Sequence, residues 1–170
     1  GGIRLRKDWQ SLEEVFESAL RLLEQPLRNH PVRLALEPQL PLVRCDGVLM
    51  ERVLVNLLEN ATKYTPPGTA IGVTAAVEAG QLRIEVWDEG PGLPAGHEQA
   101  LFEKFRRGHA ESALPGIGLG LAICQAIIEA HGGHIEATNR PRGGARFVIT
   151  LPLETPPSVE GEDGEPTLPK

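Results

Sequence analysis

The chain has 170 residues, 41% of them hydrophobic and 24% charged, a composition typical of one globular domain with a real core. Its formal charge of −6 and its 4% of aromatic residues exclude a nucleic-acid backbone binder and a stacked-ring platform for single strands. No apolar run approaches the roughly 20 residues that a membrane-spanning helix needs, and no secretory signal opens the chain.

The local patterns predict a succession of helices and antiparallel strand pairs. In chain order these are a helix from Ser11, strands at 32–36 and 42–45, a helix from Asp46 to about Tyr64, strands at 71–77 and 82–87, a helix at 119–130, and strands at 134–138 and 145–151. We therefore expect an α+β fold, a two-layer α/β sandwich in which helices cover one face of a mixed sheet of about five strands.

Three segments are expected along the chain. Residues 1–10 are interpreted as a linker from a preceding domain, and residues 11–151 as the folded domain. Residues 152–170 are rich in Pro, Glu and Gly, and their five acids and one base give −4 of the total −6, so a disordered acidic tail is predicted. Between 89 and 115 no stable period occurs, and so long a loop inside a domain is usually functional or mobile.

The ends and the cysteines suggest a piece of a cytoplasmic protein. The sequence begins Gly1-Gly2 without an initiator Met, which we interpret as a fragment of something longer. Cys45 and Cys124 lie far apart in apolar stretches. One disulfide is arithmetically open, but two buried free thiols in a reducing compartment are expected.

The second predicted helix carries a polar strip beside its apolar arc. At about 100° per residue, Asn56, Asn60 and Lys63 fall together, with Tyr64 just inside the edge. Asn is a mediocre helix former, so two of them in mid-helix indicate some other use. The alternative is an ordinary solvated helix face.

Two groups of glycines follow. Asp88 ends a strand and precedes Gly90 and Gly92, an arrangement that lets a ligand approach the backbone closely, although a simple turn is the alternative. The run 116–120 opens a helix, where N–H groups favour phosphate, although close helix packing is the alternative. No strand directly precedes this run, which argues against a Rossmann fingerprint, and no Walker-type phosphate loop exists.

In order and together, these motifs resemble the N, G1, F and G2 boxes of sensor histidine kinases, relatives of the gyrase, Hsp90 and MutL ATPases. The motifs are Asn56-Leu-Leu-Glu-Asn60-Ala-Thr-Lys63-Tyr64, Asp88-x-Gly90-x-Gly92, Phe102-x-x-Phe105 and Gly116-x-Gly118-Leu119-Gly120. The resemblance runs from about Ser11 to Leu151. It implies a Bergerat-type ATP-binding fold with a mobile ATP lid.

The same resemblance implies ATP and Mg²⁺ as cofactors, with a role for each motif residue. Asp88 would accept a hydrogen bond from the adenine amino group, and Asn60 would ligate Mg²⁺ through its amide oxygen. Lys63 would neutralise phosphate, and Tyr64 would flank the nucleotide. The other nucleotide-binding residues implied are Gly90, Gly92, Arg106, Arg107, Gly116, Gly118, Leu119, Gly120 and Thr150.

These further residues divide by position. The first glycine pair would shape the adenine pocket, and Thr150 would close its far side through hydroxyl or water contacts. The later glycines would hinge the lid and present N–H groups to phosphates. Arg106 or Arg107 is preferred to His109 as a γ-phosphate contact.

Asn56 distinguishes kinases from hydrolases within this family. In gyrase-like ATPases the position four before the Mg²⁺ asparagine is a glutamate that activates water, whereas an amide is a poor base. Asn56 is therefore expected to act with Asn60 and Lys63 in phosphoryl transfer rather than hydrolysis. In sensor kinases the acceptor is a histidine on a dimerising helical hairpin, followed by Glu and soon by Pro. The five histidines here lack that setting; they are His30, His97, His109, His131 and His134.

We therefore expect a monomeric fragment that binds ATP but does not phosphorylate itself. Longer stretches around the N and G1 boxes and residues 107–116 are similar to potassium-responsive sensor kinases. That similarity implies a homodimeric inner-membrane parent with this domain in the cytoplasm, its own dimerisation domain, a cognate response regulator and no nucleic-acid partner. Two alternatives stay open: a gyrase- or Hsp90-like ATPase, and an interaction module with a decayed nucleotide site.

Overall fold

A computed structural model describes residues 2–93 and 117–156, without the side chains of 117–119. Its elements form two layers, as predicted. They are β1 (Asp8–Gln10), α1 (Leu12–Leu22), a short 3₁₀ helix (Pro26–Asn29), β2 (Val32–Leu36), β3 (Val43–Cys45), α2 (Gly47–Lys63), β4 (Ile71–Glu78), β5 (Gln81–Asp88), α3 (Ile117–Ala130), β6 (His134–Asn139) and β7 (Ala145–Pro152).

The main sheet has five strands in the order β2-β4-β5-β7-β6. Strand β2 runs parallel to β4, and the other three pairs are antiparallel, so the predicted mixed sheet is confirmed. The β4–β5 turn holds Ala79 at φ 50° and Gly80 at φ 77°. Positive φ at both central residues is what a type I′ hairpin requires.

A second, two-stranded sheet was not predicted. Strand β1 pairs antiparallel with β3, in the register Asp8 with Cys45 and Gln10 with Val43. Part of the predicted linker at 1–10 is therefore attached to the domain. At the other end, Leu153 packs on the core and Glu154 forms an ion pair with Arg44 at 3.3 Å, so the first residues beyond Pro152 also contact the body.

The core lies between the helices and one face of the sheet. Alternate residues of β5, namely Leu82, Ile84 and Val86, are at most 2% exposed and belong to one cluster with residues of all three helices. The residues between them, such as Arg83 and Trp87, are less buried and lie on the opposite face. This alternation decides which side chains can reach a site on the helix side.

The helix ends carry side-chain and backbone caps. The Ser11 hydroxyl accepts from the Glu14 backbone N at 3.4 Å, and Asp46 Oδ1 accepts from Leu49 N at 3.1 Å. Helix α3 ends with Gly132 at φ 77° and a bond from Gly133 N to Ile128 O at 2.9 Å, a Schellman motif. These local signals were legible because each depends on neighbours within a few residues.

A buried histidine joins the start of α2 to the end of α3. His131 is 6% exposed, and its Nε2 accepts from Asp46 N at 3.0 Å, while Nδ1 lies 2.8 Å from Ile127 O. Since the backbone N–H must donate, Nε2 is unprotonated and Nδ1 carries the proton. Asp46 Oδ2 accepts from Arg6 N at 2.9 Å, so the N-terminal segment is tied to the same junction.

Asp46 should make stability depend on pH in acid. Burial raises its pKa, but N–H donors from Arg6 and Leu49 outweigh burial and hold the pKa below the ordinary 3.8. The carboxylate's contribution is therefore full above pH 3.8 and lost as pH falls through the lowered folded-state value. Asp46→Asn keeps a good N-cap acceptor but cannot titrate. The variant's deficit in unfolding free energy should therefore shrink in acid.

Urea unfolding at a series of pH values measures this deficit, with Asp8→Asn, at an exposed carboxylate on β1, as the control. A deficit that stays constant from neutral to strongly acid pH would contradict the assignment.

Both thiols are free and buried, as predicted. Burial, aided by the neighbouring Asp46 charge, raises the pKa of Cys45 to about 11, and burial raises the pKa of Cys124 to about 12. In the described part of the chain, no helix is both long and apolar enough to traverse a bilayer.

Candidate functional site

The polar strip of α2 lies where α2 meets the start of α3. A Cβ added at Gly120, in the first turns of α3, would lie 3.8 Å from Asn56 Cγ. The Cys124 thiol, one turn further along α3, donates to Val53 O of α2 at 3.7 Å. The backbone at Gly118 and Leu119 belongs to the same helix start. The structure thus places Asn56 of the N motif beside Gly120 of the G2 motif.

Asn60 is the one buried polar side chain left unpaired among the described residues. It is 8% exposed, and its Nδ2 has no hydrogen-bond partner within that part of the chain. Leaving a buried polar group unpaired costs roughly 1–3 kcal/mol. The N and O of an amide exchange places by a half-turn, and an amide oxygen is a ligand type that Mg²⁺ prefers. The Asn60 amide therefore fits a metal ligand.

The rest of the described chain adds no metal cage. Residues 2–93 and 117–156 contain no group of three or more His, Cys, Asp or Glu side chains that could hold an ion. A cation at Asn60 would take its other ligands from outside this set. Phosphate oxygens and water are the usual partners of Mg²⁺ in nucleotide sites.

Lys63 and Tyr64 lie at the end of α2. Lys63 Nζ is 3.0 Å from Glu59 Oε1, one turn earlier, and both side chains are nearly half exposed. Such surface pairs contribute about 0.3–0.5 kcal/mol, so an anionic ligand could displace Glu59 at little cost. Tyr64 is the C-cap residue, and partial burial raises the pKa of its hydroxyl.

Asp88 ends β5 with one oxygen occupied. Its side chain is 9% exposed, and Oδ1 accepts from Gly90 N at 2.9 Å and from Ala145 N at 3.3 Å. No described residue donates a hydrogen bond to Oδ2. Two backbone donors on one oxygen fix the plane of the carboxylate, which leaves Oδ2 as an oriented acceptor.

The glycines after Asp88 permit close packing against α2. A Cβ at Gly90 would lie 2.6 Å from Thr65 Cγ2 and 3.0 Å from Asp88 Oδ1. Thr65 is buried just beyond α2, where its hydroxyl donates to Ala61 O at 2.6 Å. Gly92 adopts φ +85°, which favours glycine. The loop after β5 therefore lies against the end of α2 that carries Asn60.

Sequence reasoning missed the β6–β7 turn as part of this site. Gly144 in the turn and Ala145 at the start of β7 lie against Asp88. Asn139 at the end of β6 bonds to Leu93, and Arg140 just beyond it bonds to the Asp88 backbone. The one available signal was the Gly143-Gly144 pair directly before a strand.

The expected place of Thr150 is corrected by the sheet register. Thr150 pairs with Arg83 of β5, five residues before Asp88, or about 16 Å along the strand. Directly paired residues share a face, and Arg83 lies on the face opposite to Asp88 because five is an odd number. Thr150 therefore does not line the corner formed by Asp88, Gly90 and Asn60.

Some expected site residues lie outside the described part of the chain. These are Phe102, Phe105, Arg106, Arg107 and Gly116, together with His97 and His109. Their roles stay predictions.

Comparisons with known proteins show the family of this chain. The family model described as histidine kinase-, DNA gyrase B- and HSP90-like ATPase matches residues 45–155. The sensor protein KdpD of Escherichia coli K12 is 56% identical over 160 residues, which cover 94% of this chain and 18% of KdpD. The chain thus spans less than a fifth of that relative.

Solved structures give the same relationship. The catalytic domain of histidine kinase ThkA superposes with a TM-score of 0.73 at 27% identity, covering 89% of this chain and 97% of that domain. Full-length ShkA superposes with a TM-score of 0.79 at 25% identity, covering 93% of this chain and 33% of ShkA. The chain belongs to the histidine kinase-, DNA gyrase B- and HSP90-like ATPase family, in which it is a histidine kinase ATP-binding catalytic domain close to the KdpD sensor kinases.

Proposed function

We propose that this domain binds Mg-ATP and transfers the γ-phosphoryl group to a histidine on a separate dimerisation domain. The observation that carries the proposal is the corner at the end of α2, where Asn60 keeps an unpaired buried amide and Asp88 keeps an oriented acceptor. The ShkA structure, which contains AMPPNP, supports a nucleotide in this fold.

Asp88 would bind the adenine base of ATP. Oδ1 is held by two backbone donors, so Oδ2 can accept from the exocyclic amino group of adenine without rearrangement. A hydrogen bond to a charged acceptor contributes about 1.5–3 kcal/mol. A guanine base presents a carbonyl at that position, and two acceptors would then face each other.

The phosphates of ATP would lie near the start of α3 and the end of α2. The first N–H groups of α3 have no partner within the helix, and the helix dipole favours anions there. Lys63 would exchange Glu59 for a phosphate oxygen. Bound Mg²⁺ would neutralise phosphate charge. Asn60 is the residue proposed to hold the ion, through its amide oxygen.

Asn56 favours transfer over hydrolysis. Its amide cannot take a proton from water, and it lies beside Gly120 at the start of α3. The domain would hold the triphosphate for in-line attack by an external imidazole nitrogen, which supplies its own electron pair. A gyrase- or Hsp90-like ATPase is the second candidate, because it uses the same fold.

The partners follow from this proposal. We propose a cognate response regulator, supported by the structure of ThkA in complex with the response regulator TrrA. From the similarity to KdpD we also propose potassium signalling and a homodimeric inner-membrane parent with this domain in the cytoplasm. Segments 1–10, 11–151 and 152–170 are proposed as linker, domain and tail, although β1 of the linker and the first residues of the tail lie against the domain. No nucleic-acid partner is proposed, and sedimentation should show a monomer at all concentrations.

Calorimetric titration of ATP with and without Mg²⁺ tests the site. The unaltered protein should bind ATP more tightly with Mg²⁺, and Asn60→Ala should remove that gain while leaving metal-free binding largely intact. Gln81→Ala, at an exposed residue at the opposite end of β5 from Asp88, is the matched control. Failure of the unaltered domain to bind at millimolar ATP would refute the proposed site.

Phosphotransfer separates the two enzyme classes. With γ-labelled ATP and a dimerisation domain of the KdpD type supplied in trans, label should appear on histidine of that domain. Steady release of inorganic phosphate without any acceptor would instead favour the ATPase.

A further inference from the structure

The Asn139 side chain hydrogen-bonds to the backbone of the loop that follows Asp88. Its Oδ1 accepts from Leu93 N at 2.6 Å, and its Nδ2 donates to Leu93 O at 3.0 Å. One side chain thus satisfies both backbone groups of one residue, as a neighbouring strand would. Gly92 fits beneath it, because a Cβ there would lie 2.8 Å from Asn139 Oδ1. The two residues belong to segments 46 positions apart.

Arg140 holds the other end of the same loop. Its Nη1 donates to the Asp88 backbone O at 3.3 Å, and its guanidinium lies 4.2 Å from the centre of the Trp87 ring. Its own backbone N donates to Gly144 O at 2.8 Å, which anchors Arg140 to the turn. Gly72 leaves the space that the Trp87 indole occupies, since any Cβ there would collide with the ring.

The two consecutive residues therefore hold residues 88–93 at both ends. The direction of Asp88 Oδ2 depends on the backbone of Asp88 and of Gly90, which donates to Oδ1. A loop free to shift would lose that direction, because hydrogen bonding weakens steeply with misalignment. Neither residue was singled out by the motifs, and both act on backbone atoms rather than on the carboxylate itself.

We propose that Asn139 and Arg140 are positioning residues for adenine recognition, which they support by fixing the loop that carries Asp88. The inference rests on the proposed function, since it assigns the base to Asp88. It predicts that their removal weakens binding of the base without weakening phosphate contacts. The loss should therefore be the same for adenosine, ADP and ATP.

The experiment compares Asn139→Ala and Arg140→Ala with Arg142→Ala. Arg142 lies on the same turn, is exposed, and makes no hydrogen bond or ion pair within the described chain. Asn139→Ala and Arg140→Ala should each raise the Kd of ATP about tenfold, the loss of one or two net hydrogen bonds. Arg142→Ala should leave it unchanged.

Conservative variants separate positioning from general destabilisation. Asn139→Asp keeps the acceptor for Leu93 N but loses the donor to Leu93 O, so an intermediate Kd is expected. Arg140→Lys keeps the charge but loses the planar stack on Trp87, so it should resemble Arg140→Ala. Titrations are made well below each variant's melting temperature, so that the fraction unfolded does not contribute.

Two results would overturn the proposal: an unchanged Kd in Asn139→Ala and Arg140→Ala, or a loss that grows with the number of phosphates. Hydrogen exchange of the Leu93 amide gives a readout that needs no nucleotide. Exchange should accelerate in Asn139→Ala and not in Arg142→Ala. Equal exchange in both variants would refute the hydrogen bonding of Asn139 to Leu93. If the unaltered protein bound no ATP, the proposed function would fail. The exchange result would still decide whether Asn139 holds the backbone of Leu93.

Discussion

Replacing Asp88 by Asn is expected to raise the dissociation constant for ATP about a hundredfold while the fold stays intact. The amide oxygen of Asn can still accept from Gly90 N and Ala145 N, the two donors that hold Oδ1. Its NH₂ group would then replace Oδ2. A donor would face the adenine amino donor, and the charge that strengthens the wild-type bond would be gone.

Calorimetry of ATP into the variant measures this effect, with circular dichroism to verify the fold. Asp8→Asn makes the same chemical change at an exposed carboxylate of β1 and should bind ATP as the unaltered protein does. If Asp88→Asn bound ATP normally, adenine would lie elsewhere, and the assignment of the base to Asp88 would be abandoned.

Gly144→Ala is expected to cost about 3 kcal/mol or more of folding free energy. Gly144 has φ +93°, where side chains are strained. A Cβ there would also collide with the Asp88 backbone oxygen and lie 3.0 Å from Glu89 Cα. Backbone atoms cannot move aside as a flexible side chain can. The end of β5 and the start of β7 would have to separate, which would also displace Asp88.

Gly143→Ala is the matched control on the same turn. Gly143 has φ +102°, but nothing lies within 4 Å of its added Cβ. Gly143→Ala should therefore lose only the folding stability that the backbone strain costs, about 1–2 kcal/mol. Urea unfolding with comparison of midpoints and slopes measures both losses. Equal losses in the two variants would show that the contact with Asp88 contributes nothing to stability.

Much of the fold could be predicted because its signals are local. Ser11 with Glu14, and Asp46 before an apolar period, are capping patterns contained in one helical turn. The turn at Ala79-Gly80 requires positive φ at both residues, which Gly80 adopts freely and Ala79 adopts with some strain. By contrast β1 was interpreted as linker, because three residues are too few to show a period and its partner β3 lies over 30 positions away.

The candidate site also contains residues that the sequence could show and residues that it could not. The motif residues Asn56, Asn60 and Asp88 could be recognised by type and spacing, and the structure places Asn60 and Asp88 at the same end of α2. The resemblance could not say what holds Asp88, because Ala145 N reaches it across 57 positions. Asn139 and Arg140 were missed for the same reason: an Asn-Arg pair before a turn has no functional signature by itself.

What the sequence by itself determined was the helices, the hairpins, the buried thiols and the family to which the motifs point. Each of these follows from residues near one another along the chain. Only the tertiary structure decided which face of the sheet Thr150 occupies and which turn supports Asp88. Side chains alternate along a strand, so a shift of one residue in register moves every one of them to the other face. That register is set by the packing of the whole sheet against its helices, and not by any local pattern.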